Sequence, residues 1–255
     1  MKGSLQFRSK VASAHLVASF LVALVVGGLV VLVWYPGPLR EISGGSHLLL
    51  LLLTIDMALG PMLTFVLANS LKPRRELFLD IGLVAMVQVL ALSYGLWTVF
   101  SARPVYLVYE VDRFQVITPS SIDLGELVLA PEGLRSLPLF GPRVIGVRSA
   151  RSQEEKLHSL DLALAGKDVA KRPDWWVELS DMHRPILTSR GVPLRELRGN
   201  NPTDALEIKE AIERNLSKAD HIRVYPIVGR KTDWSALVDT STLEIVDFVE
   251  VDGFN

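Results

Sequence analysis

Two carboxyl groups sit inside stretches that are otherwise apolar, Asp56 in the middle of one and Asp80 near the start of the next. Thr64 and Gln88 lie in the same stretches. Acids in hydrocarbon are expensive, so each needs a function or a partner. Two carboxyls brought together share a proton and activate water, the chemistry of an aspartic protease. Depth argues against that use here. In helices rising 1.5 Å per residue, Asp56 lies about 18 Å above the inner end of its span and Asp80 about 5 Å above the end of its own. The same arithmetic levels Gln88 with Asp56 and Thr64 with Asp80. The expected arrangement is therefore interhelical hydrogen bonding, Asp56 with Gln88 and Asp80 with Thr64. Gly60-Pro61 follows Asp56 by one turn, and a proline that cannot donate to the carbonyl four residues back predicts a kink. Packing alone accounts for this pair and for Gly27-Gly28 near mid-span. The alternative is a groove that accepts a foreign transmembrane helix, with Asp56 as its polar anchor.

Other chemistry is nearly absent. There is no cysteine, hence no disulfide, thiolate nucleophile or zinc-thiolate site. The histidines His15, His47, His158, His183 and His221 fall in no metal-ligand spacing, and no phosphate-binding, dinucleotide or nucleophile-elbow motif occurs. The reading is no catalytic residue, no metal, no cofactor and no enzyme. Two features remain as partner-interface candidates. Trp175-Trp176 stands in a polar stretch, where it either packs in a core or at a membrane surface, or binds a partner. Asp112-Arg113 marks a tight turn.

The elements that must hold these residues divide the chain of 255 in two. Residues 1–100 carry seven Lys/Arg and four Asp/Glu, while the remaining residues carry 20 and 24. A wholly soluble protein is excluded, and with net charge −1 and no basic block nucleic acid is not an expected partner. Three apolar runs, about 12–35, 47–68 and 77–100, are long enough to span a bilayer core of about 30 Å. Lys2, Arg8 and Lys10 precede the first, and Lys72, Arg74 and Arg75 join the second to the third, whereas Arg40 stands beside Glu41 in the other joint. Positive segments stay inside, so the N-terminus is expected in the cytoplasm and everything beyond Phe100 outside. Trp34, Tyr35, Trp97 and Phe100 would then lie at the outer interface. The first run ends in Trp34-Tyr35-Pro36-Gly37-Pro38 rather than a small-residue cleavage site, which predicts an uncleaved anchor.

Residues 1–102 thus form a membrane domain, and 103–255 an extracytoplasmic one of α+β class. Val105–Val111 and Phe114–Thr118 read as a hairpin around Asp112-Arg113, and Arg143–Arg148 as a strand. A short helix is expected near Ile122–Leu129. Ser152 with Glu155 is a capping box, with Leu157, Leu160 and Leu164 striping the helix behind it. Asn201-Pro202 opens another helix, with Ala205, Ile208, Ile212 and Leu216 on one side. Ile222–Val228, Trp234–Asp239 and Leu243–Val251 close the chain as strands. The sheet is expected to be mostly antiparallel with flanking helices.

Three segments are distinctive. Trp34-Tyr35-Pro36-Gly37-Pro38 with Ile42-Ser43-Gly44-Gly45 is the first, and Asp56 with Leu59-Gly60-Pro61-Met62-Leu63-Thr64 the second. The third is Tyr94-Gly95-Leu96-Trp97-Thr98-Val99 followed by Ala102 to Phe114. In combination they resemble the TfpX/TfpZ family of type IV pilin accessory proteins over roughly residues 34–118. That resemblance implies a bacterial inner-membrane protein acting in pilus assembly beside its cognate pilin, with no catalytic residues to transfer. Met1-Lys2-Gly3 only faintly resembles a prepilin leader, and three spans exclude a filament subunit. The implied function is a non-enzymatic, chaperone-like accessory protein with pilin, other pilus components and the lipid bilayer as partners. The alternative is a membrane-anchored periplasmic sensor or envelope scaffold, weakened by inner loops too short for a signalling domain.

Overall fold

The computed structural model describes residues 2–182, 189–230 and 233–254, so His183 lies outside the described residues. The chain divides into two compact units, one of residues 1–37 and 45–101 and the other of 38–44 and 102–255.

The first unit is helical. Helix α1 (Lys2–Leu29) runs into a π-helical turn at Val30–Trp34, which closes when the Tyr35 amide donates to the Val30 carbonyl at 2.9 Å. A short helix, α2 (Leu39–Ile42), follows and belongs to the second unit. Helices α3 (Gly45–Leu67) and α4 (Arg74–Ser101) complete the first. All three long helices are apolar and long enough to cross a membrane, and most of their large apolar side chains are exposed, as lipid-facing surfaces require. Pro61 lies inside α3 without ending it.

The second unit is a mixed sheet with helices, an α+β fold. Its strands are β1 (Tyr106–Glu110), β2 (Arg113–Ile117), β3 (Arg143–Val147), β4 (Trp176–Glu178), β5 (Val192–Pro193), β6 (Ile222–Val228), β7 (Trp234–Asp239) and β8 (Glu244–Val249). The order is β4-β3-β1-β2-β6-β7-β8, with β5 also pairing β6. Among the described residues only β1–β3 and β2–β6 pair in parallel. The sheet is flanked by helices that include α5 (Gln153–Leu164) and α6 (Pro202–Arg214).

Alternation along the strands sends side chains to opposite faces. On one face Leu107, Tyr109, Phe114, Tyr225, Ile227, Ala236 and Val238 form a single core. On the other, Ile222, Val224 and Leu237 pack with Ile208 and Ala211 of α6, while Tyr106, Val108, Ile117 and Ile145 pack with Leu134 and Trp176. Among the described residues no long helix covers the first face. Leu39 and Ile42 of α2 do so, together with Leu179. The turn after β6 holds them in place, since the Arg230 amide donates to the Ile42 carbonyl at 2.8 Å. A loop expected to belong to the membrane region is therefore part of the sheet domain's core.

Several expectations need correcting. Arg113 pairs with Glu110 in the ladder, so the hairpin turn is Val111-Asp112 rather than Asp112-Arg113. Leu157, Leu160 and Leu164 are exposed, and α5 buries no residue. Its N-terminus instead answers to charge. Ser152 accepts from the Glu155 amide at 3.1 Å, but the Glu155 carboxyl turns to Arg148 at 2.7 Å and to the Arg151 amide rather than closing the box. Those bonds hold that carboxyl down at about 2. Ala205 and Leu216 likewise face solvent, leaving Ile208 and Ala211 to anchor α6.

Val111 sits at φ 59°, where a β-branched side chain collides with its own backbone. Val111→Gly should stabilise the second unit by about 1 kcal/mol in chemical denaturation. Asp239, buried at the end of β7, accepts from the Ser241 hydroxyl at 2.5 Å and amide at 2.9 Å and faces Lys218 at 3.4 Å. Those hydrogen bonds, led by the Ser241 hydroxyl, hold its carboxyl below the usual range. The stabilisation is present above the ordinary aspartate value of about 4 and disappears as pH falls through the folded value. Denaturation midpoints measured from pH 5 down to 2 should fall less steeply for Asp239→Asn than for the wild type.

Candidate functional site

The polar residues of the three long helices converge. On α3, Asp56, Gly60 and Thr64 recur every four residues and so line one face. On α1, His15 and Ser19 share the same spacing. Gln88 reaches between them from the middle of α4. Its Nε2 donates to the Asp56 carbonyl at 3.1 Å and lies 3.2 Å from Asp56 Oδ1 and 3.3 Å from Ser19 Oγ. A backbone carbonyl can only accept, which fixes the orientation of the amide. Gln88 Oε1 must then accept, and it does so from His15 Nε2 at 2.6 Å. His15 Nδ1 meets Thr64 Oγ1 at 2.5 Å. One side-chain network thus ties all three helices together.

Gly60 is what makes room for it. A Cβ there would land on the Gln88 amide, within the distance that real Cβ contacts respect. At the other end of the bundle, Gly45 leaves space for the Tyr35 ring, whose hydroxyl donates to the Val99 carbonyl at 2.8 Å. The Gly27-Gly28 pair does not act this way. Gly28 has no atom within 4 Å of a would-be Cβ, and Gly27 has only an ordinary contact with Leu53.

Asp56 and Gln88 are joined, whereas Asp80 and Thr64 are not. Lys72 takes Asp80 at 2.5 Å and reaches toward the Leu67 carbonyl at the end of α3. A charged partner in the joint before α4 outcompetes a hydroxyl on another helix, and Thr64 turns to His15. The two acids therefore serve separate networks. Sequence reasoning missed His15 and Ser19. The available signal was a histidine inside an apolar run, with a serine one turn further on.

On the outer side of the α3–α4 pair lies a groove of about 380 Å³. Its walls are Leu48, Leu51, Ile55, Leu59, Val87 and Tyr94 among others, and Asp56 and Gln88 supply its polar floor. Asp56 is only 8% exposed. Elsewhere, the titrating groups that shift have structural causes. Burial pushes the Tyr225 phenol up to about 12 and raises those of Tyr106 and Tyr109 and the carboxyl of Glu110.

Trp175 and Trp176 pack into the core, 4% and 1% exposed. Trp176 donates to the Ala170 carbonyl at 2.9 Å and packs on Tyr106, and Trp175 lies under Arg148 with 4.4 Å from guanidinium to ring centroid. Asp112 and Arg113 pair with each other at 2.8 Å at the hairpin tip, half-exposed, with Arg113 over the Phe254 ring.

The family described as fimbrial assembly protein FimB matches residues 3–44. A fimbrial assembly protein, serogroup E1, of Dichelobacter nodosus is 32% identical over 249 residues, 97% of this chain and 96% of its own. The chain belongs to the fimbrial assembly protein family. A second member from that organism, of serogroup I, is 31% identical over the same shares. A third, of serogroups C1 and C2, is 37% identical over 121 residues, 48% of this chain. No solved structure matches. For a fimbrial assembly protein, the three apolar helices imply association with a membrane, and the family implies dealings with pilus components.

Proposed function

We propose that this fimbrial assembly protein is a non-enzymatic, chaperone-like accessory factor of the TfpX/TfpZ kind, holding its cognate type IV pilin in the bacterial inner membrane before assembly. The observation that carries this reading is the α3–α4 groove, a largely apolar trough with the Asp56–Gln88 pair at mid-helix. A waiting pilin subunit has an apolar helix that needs such a lateral seat. The N-terminus lies in the cytoplasm and the sheet domain in the periplasm. This topology is supported by the basic residues before α1 and between α3 and α4. It is further supported by residues 38–44 sharing a core with 102–255, since an even number of spans separates the two segments. The absence of catalysis is supported by the assignment of each intramembrane acid to a structural partner.

A strain lacking the chain should still make pilin yet display few surface pili by electron microscopy, with display restored by the wild-type chain. Normal piliation in the deletion strain would refute the proposal.

A further inference from the structure

The groove floor has unspent hydrogen-bonding capacity. Gln88 Nε2 occupies Asp56 Oδ1, but among the described residues no donor reaches Oδ2. Nor is that oxygen sealed among the fully buried unpaired atoms, although the residue is more than nine-tenths buried. It therefore belongs to the small part of Asp56 that opens on the groove. Leucine, isoleucine and valine make up most of the surrounding walls, and the hydroxyl-bearing Tyr94 and Thr98 stand six and ten residues beyond Gln88 on α4, so a helix lying there meets a single open acceptor at its midpoint. Asp56 stands eleven residues from either end of α3, which sets that depth at the bilayer centre.

We infer that Asp56 Oδ2 is a selectivity point, and that the groove takes a transmembrane helix that is apolar except for one hydrogen-bond donor at mid-membrane. This rests on reading the groove as a helix seat. An all-apolar helix leaves the acceptor unpaired in hydrocarbon, and a helix with an acceptor at that level repels it. Either way the donor-bearing helix is preferred, which is how a seat with generic walls distinguishes one helix from the many in a membrane.

The test uses the full chain in phosphatidylcholine vesicles with fluorescent synthetic Leu/Ala helices, one with a single central Phe and one with a single central Trp, whose indole N–H donates and cannot accept, and reads energy transfer from a donor dye near the groove. The Trp helix should bind about three- to fifteenfold more tightly. Asp56→Asn keeps the Oδ1 acceptor for Gln88 and places an NH₂ where Oδ2 was, so the bundle persists and the preference disappears. Asp56→Leu should abolish it as well. Equal binding of the two helices to the wild type, or an unchanged preference in Asp56→Asn, would overturn the selectivity inference and leave the seat intact. Binding of neither helix would overturn the seat itself.

Discussion

Ile42→Ala should destabilise the sheet domain by about 2–5 kcal/mol, the cost of emptying a buried isoleucine site. This is a large effect for a residue in the joint between two hydrophobic runs. Ile42 is fully buried, on the sheet face that carries Tyr109, Phe114, Tyr225 and Ile227. Among the described residues no long helix packs on that face, so Leu39 and Ile42 do the work α6 does on the opposite face. The approach is tight: a Cβ at Gly229 would stand 2.6 Å from the Ile42 carbonyl. Arg40, two residues away, is exposed, and Arg40→Ala should stay within about 0.5 kcal/mol of wild type. Urea denaturation followed by protease sensitivity of the sheet domain measures both. Equal effects would mean that the loop is not part of the core. A fragment beginning at residue 102 should share the weakness of Ile42→Ala, because it lacks the strap altogether.

Gly60→Leu should cost the helical unit about 1–3 kcal/mol from overpacking alone. It should also cost the bonds of Gln88 to His15 and Asp56, each worth about 0.6 kcal/mol in a membrane. The first atom of the new side chain falls on the Gln88 amide, which must swing away and abandon its contacts on α1 and α3. Gly28→Ala is the matching control, since its methyl meets nothing within 4 Å. It should be neutral or slightly stabilising, as alanine is the better helix former. Resistance of the bundle to dissociation in increasing SDS separates the two variants. Equal losses would show that the network does not hold the helices together.

Much of this architecture was legible in the sequence. Three long apolar runs, the β1–β2 hairpin and the closing meander of β6, β7 and β8 follow from periodicity and turn chemistry, which are local. The level of Gln88 with Asp56 followed from helix rise alone. Rise gives depth but not rotation, so the sequence could not say that His15 faces Thr64, or that Lys72 in the joint would claim Asp80. Trp175 and Trp176 looked conspicuous because their neighbours in the chain are polar. They are buried because a 3-10 turn at Pro173–Trp175 feeds straight into β4, and a reader of the chain has no way to see the Arg148 and Tyr106 that cover them. The strap at Ile42 depends on Arg230, too distant along the chain for any local pattern to show.

The central claim is that the α3–α4 groove seats the helix of a pilin, and photocrosslinking in the piliated cell tests it most directly. A photoreactive amino acid at Leu59, on the groove wall, should capture pilin, whereas one at Val25, exposed on α1 and outside the groove, should not. Capture from both positions alike, or from Val25 alone, would contradict the account.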